Sequence, residues 1–187
     1  DWFHYMGLED QVILYLDCRK NRNDWWWGAH SIRKEKEKYA DAYSPAEKRV
    51  LTTIEWVIQT YKIDRNRVYL SGISMGGSGS LGIGMRLGDV FAAVNVAVPA
   101  GIEHIEHRMF GKGVPDPPIL VNFSAPNDNW SKDQEKLIAY FKDMKFPLVF
   151  AWGPHGHQSS VAGYHPAAQL FPWRSIRKNE AYPVFSN

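Results

Sequence analysis

The sequence predicts an α/β fold with a doubly wound, mostly parallel sheet and helices on both faces. Short apolar runs alternate with amphipathic helical segments at intervals of about 25 to 30 residues, which is the pattern of consecutive β-α-β units. In such sheets the functional groups lie in the loops that follow the carboxyl ends of the strands. The predicted strands are 12–16, 68–70, 91–98, 119–123 and 148–152.

Helices are predicted from their start signals and from apolar spacing. Residues 44–47, Ser-Pro-Ala-Glu, combine a capping box with a proline at the first helical position, and apolar residues then recur at helical spacing up to Tyr61. Residues 131–144 form a second amphipathic segment. A short helix is predicted near 166–171, and the irregular stretch 102–118 suits a lid over a site.

The bulk composition indicates one globular domain, spanning 1–187, with an ample core. Of its 187 residues, 44% are hydrophobic and 22% are charged. The 22 basic and 20 acidic residues give a net charge of +2 and are well mixed, so nothing indicates nucleic acid or a membrane surface as a partner. No apolar run approaches the roughly 20 residues that a membrane span requires.

The single cysteine, Cys18, excludes an internal disulfide but does not fix the cellular compartment. No signal-peptide pattern is visible in these residues. Because the chain starts at Asp1 and not at Met, we expect a processed product or a fragment.

The chain is organised around residues 72–76, Gly-Ile-Ser-Met-Gly, which follow the second predicted strand and lead into a glycine-rich helix. This G-x-S-x-G pattern between a strand and a helix is a nucleophile elbow. Ser74 sits on a sharp turn with strained backbone angles, so Gly72 and Gly76 must be nearly free of side chain. The turn also aims the first amides of the helix at a developing oxyanion, with the Met75 N–H as the expected donor.

Two other patterns imitate a cofactor site and a metal site. Residues 77–82 match the dinucleotide fingerprint G-x-G-x-x-G, but they begin inside the helix, and the next apolar run contains Asn95 where an acidic residue is required. These glycines instead allow the helix to lie close to the sheet. His104 and His107 have the spacing H-x-x-H, yet a zinc site requires a third ligand. We therefore expect neither a cofactor nor a metal.

A serine nucleophile requires a base, and the base requires a carboxylate that fixes its tautomer. Asp128 lies in the loop after the fourth predicted strand, and two histidines follow the last strand. We select His157, because Gly156 gives its loop the freedom to turn the imidazole toward the serine; His155 is the second choice. Asp133 is a weaker candidate for the acid, since its position in the first turn of a helix already accounts for it.

Three consecutive tryptophans, Trp25, Trp26 and Trp27, cannot all face one core from a regular element. One interpretation is that they cover the rim of the core. The other is that they form a stacking platform for a sugar or an aromatic ring. Together with Trp130, which follows Asp128 by two residues, they are the candidate substrate-binding residues.

Three segments resemble motifs of the α/β-hydrolase esterases of the carbohydrate esterase group. They are residues 63–77, the Asn-Asp-Asn-Trp loop 127–130 and the Gly-His pair 156–157. That group includes feruloyl esterases, acetyl-xylan esterases and enzymes related to polyhydroxybutyrate depolymerases. The resemblance covers most of the chain, from about residue 12 to residue 157. The elbow alone is shared with many hydrolases, whereas the three motifs in this order are more specific.

The resemblance implies that Ser74 is the nucleophile, Asp128 the acid and His157 the base. It also implies hydrolysis of an ester through an acyl-enzyme, on a small-molecule or polysaccharide substrate, with plant cell-wall polysaccharide as the expected class. For this protein we expect a secreted or periplasmic location.

One part of the family pattern is absent. Such esterases normally carry an H-G-G or H-G-x-G loop, whose backbone N–H is the second oxyanion donor, and no such loop precedes Val12. Losing one donor typically slows catalysis by about a hundred- to a thousandfold. We therefore expect the C-terminal part of a longer enzyme, with an N-terminally incomplete sheet whose edge is exposed or is covered by another segment or chain.

Two other functions stay open on the sequence alone. A serine peptidase of the prolyl-oligopeptidase type shares the elbow and the order of the triad, but no obvious Glu-Glu pair is present to bind a substrate amino terminus. A non-catalytic carbohydrate-binding relative would use the aromatic surface and leave Ser74 idle. The complete set of serine, aspartate and histidine argues against this second function, while the absent oxyanion loop argues for it.

Overall fold

The computed structural model describes residues 10–17, 26, 43–100, 106, 117–153, 156–157, 172 and 175–181. Within these residues, the structure has three α-helices and four β-strands, in the order that the sequence predicted. In chain order they are α1 (Pro45–Tyr61), β1 (Tyr69–Ile73), α2 (Met75–Gly84), β2 (Ala93–Ala97), β3 (Ile119–Ser124), α3 (Gln134–Met144) and β4 (Leu148–Trp152).

The four described strands form one parallel sheet in the order β1-β2-β3-β4, which confirms the predicted fold class. The register aligns Leu70 with Val94, Val94 with Leu120, and Leu120 with Leu148. Because all four strands run in the same direction, their carboxyl ends lie at the same end of the sheet. The loops after β1, β3 and β4, which carry the predicted site residues, therefore open on one side.

The main hydrophobic core lies on one face of the sheet, and all three described helices contribute to it. The inward face of β2 and β3 meets the apolar stripes of α1, α2 and α3 in a single cluster, as the helical spacing predicted. Its buried members are Val50, Leu81, Ile83, Met85, Leu87, Phe91, Val94, Val96, Leu120, Leu137 and Phe141.

The opposite face of β1 and β2 is covered in part by the segment 175–181. Ile176 packs against Ala92 and Ala93, and its carbonyl accepts a hydrogen bond from the Tyr69 hydroxyl at 2.8 Å. The Lys178 N–H donates to the carbonyl of the turn before β1. This segment therefore covers the start of β1 and β2 on the sheet face opposite the described helices.

The start of α1 is the predicted capping box. The Glu47 N–H donates to Ser44 Oγ at 3.1 Å, and the Ser44 N–H donates to Glu47 Oε2 at 2.7 Å. Both residues are fully buried, so the box also seals the rim of the core. Two free N–H groups of the first turn are satisfied in this way.

The glycines of α2 bring the helix close to the sheet, as the sequence predicted. A Cβ on Gly84 would lie 2.5 Å from the Val94 side chain, and a Cβ on Gly77 would lie 2.9 Å from the Ala97 carbonyl oxygen. Real Cβ atoms do not approach other heavy atoms this closely, so the helix could not keep its position with larger residues. The pattern 77–82 is thus a packing feature.

The predicted buried strand 12–16 is wrong. Residues 11–17 form no strand, and the side chains of Val12, Ile13, Leu14 and Tyr15 are 36% to 58% exposed. Only Leu16 packs against the main core. An apolar run becomes a strand only when a neighbouring strand accepts its hydrogen bonds, and no described strand pairs with this segment.

The elbow strand is less buried than predicted. We expected residues 68–70 to lie inside the sheet, but β1 is an edge strand of the described sheet and its residues are half-buried, with Ser71 exposed. By contrast, β2 is buried at all five positions. An edge strand is covered on fewer sides, which accounts for the difference.

Several predictions fall outside the described residues. They are most of the candidate lid 102–118, both histidines of the H-x-x-H pattern (His104 and His107) and the short helix at 166–171. Among the described helices, none has the length and hydropathy that crossing a membrane requires.

Candidate active site

Ser74 occupies the turn between β1 and α2, where the sequence places the elbow. Its backbone angles, φ 57° and ψ −120°, lie in a region that non-glycine residues rarely adopt. The Ser74 N–H donates to the Ala97 carbonyl at 2.9 Å, so the turn is tied to the end of the neighbouring strand. Strain of this kind persists only where the surrounding structure enforces it.

Gly72 is one of the groups that enforce the turn. A Cβ at this position would overlap the backbone carbonyl of Gly76 and lie 2.7 Å from Ser80 Oγ. The prediction that Gly76 is needed for the same reason is wrong, because a Cβ on Gly76 would meet no atom within 4 Å. The two glycines of the motif therefore differ: Gly72 is required by packing, whereas Gly76 borders open space beside the serine.

Ser78, one turn further along α2, holds the backbone carbonyl of Ser74 in place. Its N–H donates to the Ser74 carbonyl at 3.0 Å, and its hydroxyl donates to the same oxygen at 3.2 Å. Ser78 Oγ also accepts the Ala100 N–H at 2.5 Å. Because Ser78 is fully buried, it holds the strained residue and the loop after β2 together in an environment without competing water.

Asp128 lies in the loop after β3 and is held in a fixed orientation. The Asp128 N–H donates to the Ala125 carbonyl at 3.1 Å, and Oδ1 accepts the Trp130 N–H at 2.9 Å. The side chain is only 2% exposed. With Oδ1 engaged by the loop itself, Oδ2 is directed toward the loop after β4.

A buried polar cluster lies beneath this loop and joins β3 to α3; its members are Asn122, Ser124, Ser131 and Gln134. Asn122 Nδ2 donates to Gln134 Oε1 at 3.0 Å, and Ser124 Oγ donates to Asn122 Oδ1 at 2.9 Å. Gln134 Nε2 donates to Ser131 Oγ at 3.2 Å. Buried polar groups that satisfy one another in this way stabilise one arrangement of the loop.

His157 bridges the other two residues. Its Nδ1 lies 2.7 Å from Asp128 Oδ2, and its Nε2 lies 2.7 Å from Ser74 Oγ. With the imidazole proton on Nδ1, that nitrogen donates to the carboxylate and Nε2 accepts the serine hydroxyl proton. The His157 side chain is 35% exposed and Ser74 is half-buried, so neither residue is sealed inside the core. The three residues can thus transfer the serine proton to the imidazole.

Met75 is the first residue of α2, directly after the serine. Its N–H belongs to the first turn of the helix, where N–H groups have no partner within the helix. This is the position that the sequence predicted for an oxyanion donor, and that role stays a prediction. Asp133, the weaker candidate for the acid, immediately precedes α3 and has the left-handed angles φ 58° and ψ 30°.

Trp26 is placed against the elbow helix. Its ring occupies the space where a Cβ on Gly79 would lie, and it packs against the main core. Of our two interpretations, this placement favours a tryptophan at the rim of the core. Trp130 is half-buried two residues after Asp128, and its role in substrate binding stays a prediction. Trp25, Trp27 and His155 lie outside the described residues.

Sequence reasoning missed three features that support the site. Ser78 and the buried polar cluster have no motif of their own, because their roles depend on contacts between distant strands and helices. Asn127 directly precedes Asp128 in the quoted loop, and its Oδ1 accepts the Gly156 N–H at 2.6 Å. The position of Asn127 next to the predicted acid is the one sequence feature that could have indicated its role. No cluster of metal-ligating side chains occurs among the residues that the structure describes.

Solved structures with a similar fold include a serine hydrolase, an esterase and a peptidase. A fluorophosphonate-binding serine hydrolase of Staphylococcus aureus superposes with a TM-score of 0.56 at 20% identity, over 68% of this chain and 62% of its own. A ferulic acid esterase superposes with a TM-score of 0.56 at 17% identity, over 70% of this chain and 60% of its own. An acylaminoacyl peptidase of Pyrococcus horikoshii gives a TM-score of 0.54 at 16% identity, over 74% of this chain and 29% of its own.

No protein-family model and no curated protein sequence matches the chain. The chain spans 62% of the length of the fluorophosphonate-binding serine hydrolase and 60% of that of the ferulic acid esterase. At this level of identity the similarity establishes the fold and leaves the reaction open. The protein has an α/β-hydrolase fold, at low sequence identity to serine hydrolases and esterases.

Proposed function

We propose that the protein is a serine hydrolase that cleaves carboxylic esters through an acyl-enzyme. The observation that carries this proposal is the continuous relay from Asp128 through His157 to Ser74, with both hydrogen bonds at 2.7 Å. A nucleophile, its base and the group that orients the base are each within hydrogen-bond reach, which is the geometric requirement for this chemistry.

In the first step, Ser74 Oγ forms a bond to the ester carbonyl carbon while its proton moves to His157 Nε2. The carbonyl π electrons move to oxygen, which becomes the oxyanion of a tetrahedral intermediate. Asp128 stays ionised, holds the imidazole in the correct tautomer and stabilises the imidazolium. Its nearly complete burial strengthens this interaction, because little water competes for the carboxylate.

The Met75 N–H is the proposed donor to the oxyanion, since it follows the serine at the start of α2. Collapse of the intermediate then breaks the bond to the alcohol oxygen, and the imidazolium returns its proton to that oxygen as the alcohol leaves. Water repeats the sequence on the acyl-enzyme: His157 takes a proton from the water, the acid is released, and Ser74 regains its proton.

The proposed substrates are feruloyl or acetyl esters of plant polysaccharide. Two findings support this finer proposal: the resemblance of the elbow, acid and base motifs to carbohydrate esterases, and the similarity in fold to a ferulic acid esterase. Trp130 lies on the same loop as the acid and is half-buried, and it is the proposed aromatic contact for the substrate.

A serine peptidase is the second candidate. The similarity in fold to an acylaminoacyl peptidase favours it, because that structure matches most of this chain. Esters and amides pass through the same tetrahedral chemistry at a serine, so the relay alone does not separate the two reactions. The two reactions differ in the leaving group, which is an alcohol for an ester and an amine for an amide; the imidazolium protonates both, but the amine is the poorer leaving group.

The decisive experiment compares the wild-type protein with the Ser74→Ala variant on three probes: methyl ferulate, p-nitrophenyl acetate and an aminoacyl p-nitroanilide. We expect turnover of the esters and little turnover of the anilide, with kcat for the esters lowered by roughly 10⁴-fold or more in Ser74→Ala. Ester turnover that persists in Ser74→Ala would refute the mechanism. Turnover confined to the anilide would favour the peptidase.

A further inference from the structure

Two adjacent residues of the loop after β3 hold two adjacent residues of the loop after β4. Asp128 Oδ2 engages the His157 imidazole at 2.7 Å, and Asn127 Oδ1 accepts the Gly156 N–H at 2.6 Å. We propose that Asn127 is a positioning residue that sets the orientation of the base loop, and thereby the aim of His157 at Ser74. This inference rests on the proposed hydrolase function.

The two bonds hold neighbouring points of the chain. The bond between Asp128 and His157 orients the imidazole ring, and the bond from the Gly156 N–H to Asn127 Oδ1 ties the backbone that carries this ring to the acid loop. Together they restrict the position of His157 more than the bond to Asp128 does by itself. Gly156 has a φ of +43°, which is one of several conformations that a glycine can adopt, and the bond to its N–H favours this conformation.

The acid loop is the firmer of the two partners. It is held by its own turn hydrogen bonds, from the Asp128 N–H to the Ala125 carbonyl and from the Trp130 N–H to Asp128 Oδ1. The buried polar cluster of Asn122, Ser124, Ser131 and Gln134 lies beneath it. Through its hydrogen bond to the Gly156 N–H, the Asn127 side chain therefore fixes the position of the base loop relative to the acid loop.

An amide at position 127 fits this role better than a carboxylate would. Aspartate has the same shape and retains an oxygen acceptor for the Gly156 N–H. It also places a second negative charge near the imidazole, beside Asp128. A nearby negative charge favours the imidazolium, which cannot accept the serine proton. Asparagine holds the loop without that charge.

The test uses two variants at this position and a matched control in the same loop. Asn127→Ala removes the acceptor, and Asn127→Asp retains it. Asn129→Ala shortens a second exposed asparagine, whose side chain makes no hydrogen bond among the described residues. The readouts are kcat and KM for p-nitrophenyl acetate, the pH–rate profile, the unfolding midpoint and hydrogen exchange of the Gly156 amide by NMR.

For Asn127→Ala we expect kcat to fall by about ten- to a hundredfold while KM changes by less than about twofold, because misaimed catalytic groups slow chemistry and not binding. The Gly156 amide should exchange faster, and the unfolding midpoint should match that of Asn129→Ala. For Asn127→Asp we expect most of the rate to return at high pH. The acid limb of its pH–rate profile should move to higher pH.

Two results would overturn the inference: equal kcat in Asn127→Ala and Asn129→Ala, or unchanged exchange of the Gly156 amide in Asn127→Ala. Failure of the proposed function has a different signature, because the wild-type protein would then show no turnover that depends on Ser74. In that case both the proposed function and the positioning role of Asn127 are refuted. An active wild-type protein with an equally active Asn127→Ala variant refutes the positioning role alone.

Discussion

The nucleophile and the acid are held by two different kinds of structure. Ser74 follows β1, an edge strand of the described sheet that is half-buried, and its geometry depends on backbone strain and close backbone contacts. Asp128 follows β3, which is buried at five of its six positions, and its loop rests on hydrogen-bonded buried side chains. His157 joins these two regions, which we call the elbow region and the acid region.

This contrast indicates how each region should respond to mutation. At position 72 of the elbow region a small added volume has nowhere to go, because the nearest atoms belong to the Gly76 backbone and cannot rotate away. In the acid region the chain is held by side chains that can be replaced, at the cost of unsatisfied buried groups. Added volume at position 72 should therefore abolish the geometry of the turn abruptly, whereas changes beneath the acid should first reduce stability.

The largest effect is expected from Gly72→Ala. Its Cβ would overlap the Gly76 carbonyl, so the turn must open and move Ser74 away from His157. Such a displacement should lower kcat by about a hundredfold or more, and the overpacking should lower the free energy of unfolding by roughly 1–3 kcal/mol. Ester turnover and urea unfolding measure both effects.

Gly76→Ala is the matched control, because the same methyl group would enter open space. Position 76 is helical, so alanine should leave the free energy of unfolding unchanged or raise it by up to about 1 kcal/mol. If Gly76→Ala destabilised the protein as much as Gly72→Ala, the difference that we draw between the two glycines would be wrong.

An intermediate effect is expected from Asn122→Ala in the acid region. The substitution leaves Gln134 Oε1 without its donor inside the core and removes the acceptor of the Ser124 hydroxyl, whose remaining partner is Ser131 Oγ at 3.3 Å. We expect the free energy of unfolding to fall by about 1–3 kcal/mol, with a smaller fractional change in kcat than Gly72→Ala causes. Chemical denaturation and steady-state kinetics on the same samples make the comparison.

The double variant Asn122→Leu, Gln134→Leu tests the reason for that loss. Removing both polar partners should be less harmful than removing one, because no buried amide is then left unsatisfied. A non-additive recovery of stability would show the coupling between the two side chains. Full additivity would mean that the loss in Asn122→Ala has another cause.

The smallest effect concerns pH and lies far from the site. Arg65 makes a two-point ion pair with Glu55, at 2.7 and 2.5 Å, which joins α1 to the turn before β1. The hydrogen bond from Arg65, with a second from Gln59, lowers the pKa of Glu55 from 4.5 to about 2. Because the pKa is lower in the folded state, the stabilisation is present above pH 4.5 and is lost as the pH falls toward 2.

We therefore expect Arg65→Ala to lower the unfolding midpoint slightly at pH 7 and to match the wild-type protein near pH 2. The effect should be small, because the pair is exposed and screened by solvent. Lys48→Ala, which removes a positive charge from α1, is the control for net charge. A difference between wild type and Arg65→Ala that grew as the pH fell would contradict the sign of this effect.

Sequence signals were sufficient where the determinants are local. The capping box and the helical spacing gave the bounds of α1 from Pro45 to Tyr61, and the last apolar run gave those of β4 from Leu148 to Trp152. The order of serine, aspartate and histidine along a parallel sheet also identified the three residues that the structure brings together. Parallel strands place their following loops at one end, so chain order alone implies proximity.

Signals failed where the outcome depends on neighbours. The run 12–16 has the composition of a strand, but strand formation also requires a pairing partner, which composition does not reveal. We predicted that the helix before β4 spans 131–144, yet α3 begins at Gln134, because Asp133 takes left-handed angles that interrupt a helix. The demand for glycine at position 72 but not at position 76 arises from packing that no motif encodes.

The central claim is that His157 activates Ser74, and intact-mass analysis after exposure to a fluorophosphonate probe tests it most directly. Such probes react covalently with an activated serine and need no knowledge of the substrate. We predict a single adduct that peptide mapping assigns to Ser74, absent in Ser74→Ala and lost or strongly slowed in His157→Ala. A folded wild-type protein that gives no adduct, or an adduct on Ser74 that forms equally fast without His157, would contradict the claim.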